Sequence, residues 1–267
     1  MTTFGKGVSR SQRSSAAGKA FTLWAPFGVI LVSLIVSCSV RAPLEDIDLK
    51  EKMFNAYGGR ERLAQVHSIA AEGKITALVR GDSGVYRRAL RWDGKLFVDI
   101  QYTQSRETRI LNGTRALRGI DGKIEEVSGA GQLAMIYQYN ELSMPFALLD
   151  NSFDVSDEGR YPLGGLVVRV LRCTDRAGNS IDLFIDEVTF RIVKTLGSFS
   201  VEGKPTTLSA VFGDFRFFEG VLMPFKIVNY AGDTKISETI IDDYRFNMRL
   251  SDAMFDLHAH TPGPSKE

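Results

Sequence analysis

From Ile75 to Phe246 the apolar positions fall mostly on every second residue, a period that predicts strands. Ile75, Ala77 and Val79 alternate with Thr76, Leu78 and Arg80, and Gly81-Asp82-Ser83-Gly84 reads as the turn that follows. Val85 to Trp92 and Lys95 to Tyr102 flank the Asp93-Gly94 turn, and Leu96, Val98, Ile100 and Tyr102 share one face. Glu107 to Leu111 and Thr114 to Ile120 are punctuated by Asn112-Gly113 and Asp121-Gly122, dipeptides typical of tight hairpins. After Phe153 the pattern resumes as Leu166–Cys173, Ser180–Asp186, Arg191–Phe199, Thr206–Phe218, Val221–Tyr230 and Lys235–Phe246. The reading is mainly β, with about ten or eleven strands and no helical crossovers. That excludes a parallel α/β fold and predicts one large, curved antiparallel sheet or barrel.

Three stretches switch to a helical period. Asp48 to Tyr57 places Leu49, Met53, Ala56 and Tyr57 on one face, with Asp48 as the expected cap and Glu51 three residues on. Gly58-Gly59 ends it, and a short helix from Arg60 to Val66 follows. In mid-chain, Gly131 to Leu142 has one stripe of Leu133, Ile136 and Tyr137 and another of Met135, Tyr139 and Leu142; Glu141 is its single charge. A helix apolar nearly all round needs cover on more than one side, as a core helix or as a lid over a cavity. Pro145 stops it, and Phe146, Leu148 and Leu149 extend the apolar surface. Thr206–Phe218 is apolar on both parities, with Leu208 and Phe212 on one and Val211, Phe215 and Phe217 on the other. A cavity under the helix would draw on Leu133, Met135, Ile136, Tyr139, Leu142, Phe146 and Leu149. From the sheet it would draw on Val98, Ile100, Phe184, Phe212, Phe215, Phe217 and Phe225.

The N-terminal pattern is of another kind. Phe21 to Cys38 holds no charged side chain, and Lys6, Arg10, Arg13 and Lys19 precede it with no acid among them, the layout of an export signal. An uncleaved membrane helix over Ala20 to Ser37 would reach roughly 27 Å, just under the ~30 Å hydrocarbon core, and Pro26 interrupts it. Ile35-Val36-Ser37-Cys38 resembles the lipobox of bacterial lipoprotein signal peptides. That resemblance implies cleavage before Cys38 and acylation of it, with Ser39 rather than aspartate next, as in outer-membrane sorting. The expected organisation is a signal peptide over residues 1–37 and a lipid-anchored tether over 38–45. A folded domain over 46–257 and a flexible tail over 258–267 complete it.

Charge and composition narrow the function. The 267 residues carry 33 basic and 32 acidic side chains, and removing the four leader cations leaves about −3. Neither that balance nor export suggests nucleic acid. With Cys38 acylated, Cys173 has no partner for a disulfide and reads as a small buried residue. Arg80, Arg87, Arg88, Arg91, Arg106, Arg109, Arg115 and Arg118 crowd the first half, with four acids between the first and last of them. They form a solvated strand face or a docking surface for anionic head groups or acidic partners. Gly81-Asp82-Ser83-Gly84 matches the tetrapeptide around a serine-protease nucleophile, yet no accompanying histidine segment is present. His258 and His260 form a pair without further metal ligands, and His67 stands alone. No cofactor is implied, and the chain reads as non-enzymatic.

The order of short phrases resembles a family. Ala56-Tyr57-Gly58-Gly59 with Leu63 and Val66 is similar to its opening helix pair, and Ile185-Asp186-Glu187-Val188-Thr189 to its strand turn. Asp214-Phe215-Arg216, Glu219-Gly220-Val221 and Met223-Pro224 resemble a late hairpin; Asp243-Tyr244-Arg245, Asn247 and Phe255 resemble the closing strand. The family is the LolA/LolB superfamily of lipoprotein carriers and outer-membrane lipoprotein-sorting relatives, matched from about Asp46 to Leu257. The resemblance implies an incomplete antiparallel β-barrel with a helical lid or plug over a cavity for acyl chains. It also implies a lipid or lipoprotein ligand; the alternative is a sensor or assembly factor that binds an envelope protein with the same fold.

Overall fold

The computed structural model of the chain describes residues 43–256 apart from Glu202; the leader, Cys38 and the tail lie outside the described residues. The chain opens with α1 (Pro43–Ala56) and α2 (Arg60–Ala64). Six strands follow: β1 (Ser68–Ala77), β2 (Asp82–Arg91), β3 (Lys95–Tyr102), β4 (Arg106–Asn112), β5 (Arg115–Ile120) and β6 (Lys123–Val127). Helix α3 (Ala130–Ser143) separates them from β7 (Phe153–Leu163), β8 (Leu166–Asp175), β9 (Ser180–Asp186), β10 (Ile192–Val201), β11 (Lys204–Phe218), β12 (Val221–Ala231) and β13 (Thr234–Phe246).

All thirteen strands make one antiparallel sheet in the order β6-β5-β4-β3-β2-β1-β13-β12-β11-β10-β9-β8-β7. Each meander is made of sequential hairpins, and β1 pairs with β13 from Ile69–Phe246 to Ala77–Ser237 to join them. The Asp121-Gly122 and Glu219-Gly220 turns have positive φ at both residues, 51° and 83°, and 47° and 78°. That is the backbone twist a two-residue hairpin needs.

Helix α3 shows that the sheet is curled. It touches β2, β4 and β5 from the first meander and β9, β10 and β11 from the second. β5 and β9 are nine places apart in the sheet, roughly 43 Å if it were flat at about 4.8 Å per strand. The 14 residues of α3 span only about 21 Å. The sheet therefore wraps around the helix as a half-barrel whose edges, β6 and β7, do not pair with each other.

The core lies in the concave face. Leu96, Val98, Ile100 and Tyr102 of β3 are buried there, as their shared parity predicts, with Ile181, Leu183 and Ile185 of β9 opposite. From α1, Met53 and Phe54 are fully buried, and each such side chain contributes about 1.5–3 kcal/mol. Tyr57 docks that end: its hydroxyl accepts the Ile192 N–H at 3.1 Å, and its carbonyl accepts the Leu222 N–H at 3.1 Å. Cys173 is fully buried, and burial pushes its thiol up to about 12. A second, small cluster of Ile110 and Leu117, with Phe97 and Ile124 against it, packs apart from this core.

Four expectations need correction. The sheet has thirteen strands rather than about ten or eleven; the two unforeseen ones, β6 and β7, are its edges. Lys123-Ile-Glu-Glu-Val127 is short and charged, and β7 carries Gly159 and Pro162, features that protect an unpaired edge and blur the alternation. Helix α1 begins at Pro43, so 43–45 belong to a helix and not to a tether. Proline suits a first helical turn, and Asp48 lies inside the helix, paired with Lys52 at 2.5 Å instead of capping. Asp82, Ser83 and Gly84 already belong to β2, and the turn runs over Leu78–Gly81 with Val79 70% exposed beyond β1. Gly84 is a close-approach glycine: a Cβ there would stand 2.3 Å from the Gln101 carbonyl oxygen.

Candidate functional site

Between α3 and the concave sheet lies a cavity of about 420 Å³, within the ~300–1,000 Å³ common for small-ligand sites. One wall is Ile75 and Ala77 of β1, Tyr86 and Arg88 of β2, and Ile100 and Tyr102 of β3. The other is Leu208 of β11, Ile227 and Asn229 of β12, and Ile236 and Thr239 of β13. Met135, Tyr137, Gln138, Glu141 and Leu142 of α3 form the roof. A small adjoining space of about 30 Å³ is lined by Tyr57, Pro145, Phe212 and Met223, and it shares Arg88, Glu141, Leu142 and Ile227 with the large one. Those four side chains form the partition between the two.

The roof is held at both ends of its span. On the second meander, the buried Tyr137 hydroxyl lies 3.0 Å from Thr195 Oγ1, and the Tyr137 ring rides over Gly197 of β10. On the first, Arg109 Nη1 donates to Gln138 Oε1 at 3.3 Å. Tyr139 faces the β2–β3 turn, where its hydroxyl donates to the Trp92 carbonyl at 3.0 Å and accepts the Gly94 N–H at 3.2 Å. Burial pushes its phenol up to about 12. Phe146 stacks on Trp92 with ring centroids 5.1 Å apart.

Charge is distributed unevenly. Glu107, 2% exposed, accepts Arg109 at 2.9 Å, Arg118 at 3.1 Å and Arg80 at 3.4 Å; all four line the cavity, and the three arginines are partly exposed. Burial raises the Glu107 carboxyl, but the three guanidiniums outweigh it and hold the group below its ordinary value. Deeper, Arg88 and Glu141 are each 5% exposed. Arg88 Nη2 donates to the Tyr244 hydroxyl at 3.4 Å, while Nη1 has no hydrogen-bond partner among the described residues. Burial lifts the Glu141 carboxyl to about 8, against the pull of Arg88 and the Tyr137 hydroxyl. Burial thus favours the protonated form of Glu141 beside the Arg88 cation.

Met135, Leu142 and Ile100 line the large cavity, and Phe212 lines the small one with Leu142. Leu133 and Ile136 face a separate hollow of about 250 Å³ beside Gly197 and Phe199. Val98 is fully buried in the core, and Leu149 is half-buried against it. Phe225 packs edge-on to Tyr244, centroids 5.2 Å apart. Phe184 lies under Lys194, Phe215 under Arg191, and Phe217 is 65% exposed; like Tyr139, Phe146 and Phe225, none of these three lines the large cavity. Seven of the eight first-half arginines are solvated and paired, and Arg88 turns inward. Its parity with Tyr86 and Leu90 was the available signal. Ser83 Oγ bonds Thr76 at 3.2 Å, and no group of three metal-ligating side chains exists among the described residues. His258 and His260 lie outside them.

No family model matches the chain, and no curated protein matches it. Solved structures do. A DUF1329 family protein from Desulfovibrio piger superposes with a TM-score of 0.53 at 11% identity, over 80% of this chain and 98% of that one. A putative outer membrane lipoprotein-sorting protein domain from Vibrio parahaemolyticus gives 0.53 at 11% identity, over 80% and 97%. A LolA superfamily protein from Nitrosomonas europaea gives 0.49 at 13% identity, over 79% and 96%. The chain resembles the first two of these structures in fold, and its own sheet is an incomplete antiparallel β-barrel with a helical roof, as expected from the order of its elements.

Proposed function

We propose that the protein binds acyl chains of lipids or lipoproteins in the cavity under α3, as a membrane-anchored carrier or acceptor of the bacterial envelope. The observation that carries this reading is the cavity of about 420 Å³, walled by Ile75, Ala77, Ile100, Met135, Leu142 and Ile227. Each methylene that leaves water there contributes about 0.8 kcal/mol, so binding needs no covalent chemistry. The fold shared with a lipoprotein-sorting domain supports it.

In this reading residues 1–37 are a signal peptide removed before Cys38, which carries the lipid. One acyl chain holds a protein only marginally, so a multiply acylated cysteine is required for a stable anchor. The sequence signal supports the outer membrane, with the domain on its periplasmic face. No described helix is long and apolar enough to cross a membrane.

Native mass spectrometry of the chain extracted from membranes tests the cavity. The expected result is co-purified lipid that is lost in Met135→Arg, and ligand-free wild-type protein would overturn the reading. Cross-linking in cells tests the alternative: one defined protein partner, captured equally by Met135→Arg, would favour a sensor. Intact mass of the N-terminal peptide, compared with Cys38→Ala, tests the anchor.

A further inference from the structure

At the deep partition of the cavity one buried guanidinium nitrogen has no hydrogen-bond partner among the described residues. A guanidinium offers five N–H donors in a fixed planar fork, and a buried donor left unmatched is costly, more so when charged. Arg88 is 5% exposed, lines both spaces, and gives Nη2 to Tyr244 while Nη1 has no partner among the described residues. Glu141, in the same partition, does not accept from Nη1, and burial keeps it protonated up to about pH 8. The Tyr244 hydroxyl is committed to the Pro224 carbonyl at 2.5 Å, and the Tyr137 hydroxyl lies 3.0 Å from Thr195 Oγ1. The arginines of the outer cluster differ, because Arg80, Arg109 and Arg118 already surround Glu107 and reach solvent.

We propose that this partition receives the carboxylate of a single-chain carboxylic acid, held by Arg88 Nη1 and the Glu141 carboxyl, with the hydrocarbon chain running back along Ile100, Met135 and Ile227. One cation and one neutral donor match a planar monoanion. A phosphate dianion would leave one charge unbalanced at the partition, where Arg88 is the cation, since Arg80, Arg109 and Arg118 are engaged with Glu107. The ligand therefore enters head first, and a neutral, esterified acyl group lacks the carboxylate the partition recognises. This inference rests on the acyl-chain reading above and narrows its ligand to a free carboxylic acid, in place of an esterified lipid or a lipoprotein.

The test is photo-crosslinking of the full chain in phosphatidylcholine nanodiscs. The probes are a 16-carbon fatty acid carrying a chain diazirine, its methyl ester, and the alkyl phosphate of equal length. The acid is expected to label the peptide holding Met135 and Leu142 at least tenfold more than the ester, and Arg88→Met is expected to close that gap. Circular dichroism checks that the variant folds; should it not, the acid–ester ratio on wild type and the reduced ratio in Arg88→Lys decide alone. Equal labelling of that peptide by acid and ester overturns carboxylate recognition and leaves the acyl-chain reading intact. Stronger labelling by the alkyl phosphate overturns the assignment of the head group. Absence of cavity labelling by every probe overturns the acyl-chain reading itself.

Discussion

Adding a single methyl group at Gly197 tests how the roof is seated. A Cβ there would stand 2.3 Å from Tyr137 Cδ2, 2.8 Å from Cε2 and 3.1 Å from Cγ. Ordinary carbon contacts are about 3.5–4.0 Å, so the ring must retreat by more than an ångström. Gly197 pairs with Ile181 and Leu208 in regular register at a φ open to any residue, so alanine adds no torsional cost. Overpacking of this size costs about 1–3 kcal/mol. The retreat also breaks the buried Tyr137–Thr195 hydrogen bond of 3.0 Å, worth about 0.5–1.5 kcal/mol. Gly197→Ala should therefore lower the unfolding free energy by about 2–4 kcal/mol in urea denaturation, with an unchanged m-value. A double-mutant cycle with Tyr137→Ala isolates the contact. The pair should cost less than the sum of its members by about 2–4 kcal/mol, because the clash and the hydrogen bond it breaks both disappear with the ring. Additivity within about 0.5 kcal/mol would refute the proposed seating of α3 on β10.

Three further outcomes follow from the buried groups. Glu141 keeps its proton to about pH 8 in the fold but loses it near 4.5 in the unfolded chain. Its raised value makes wild type lose stability relative to Glu141→Gln as pH rises from about 4.5 to 8, by on the order of 1 kcal/mol per pH unit; parallel pH–stability curves would exclude this. Glu107→Gln leaves Arg80, Arg109 and Arg118 facing one another, so stability should fall by about 1–2 kcal/mol in dilute buffer and by less in 0.5 M salt, about 4 Å of screening length; a salt-independent loss would point to packing instead. Cys173, whose thiol is held near 12 by burial, should stay unlabelled by a maleimide at pH 8 until denaturant is added, as peptide mass mapping would report.

Much of the fold was legible because hairpins are local. Strands β3 and β9 run over Lys95–Tyr102 and Ser180–Asp186, as the alternation predicts, since every second residue of each is buried in the core. The edge strands were not legible: β6 and β7 bury little, so nothing enforces a regular pattern upon them. The site divides the same way. Met135 and Leu142 could be read from the apolar helix, and Glu141 stood out as its only charge. Arg88 was grouped with neighbours that proved to be solvated, because composition counts charges without asking which way each points. Phe217 shows the converse: an apolar residue in a strand rich in aromatics, yet facing solvent. Which strands meet across the cavity depends on the curl of the whole sheet, a property no short window contains.

The seam between β1 and β13 has a consequence for the order in which the molecule can be made. His67 donates to Asn247 Oδ1 across 180 residues of sequence, beside the strand pair at the middle of the sheet. Contacts of such high contact order carry a large loop-closure cost and form late. On the ribosome β1 keeps one edge open until the final strand emerges. A truncation that removed β13 would instead leave two naked edges, on β1 and β12, at the centre of the sheet, where they invite aggregation.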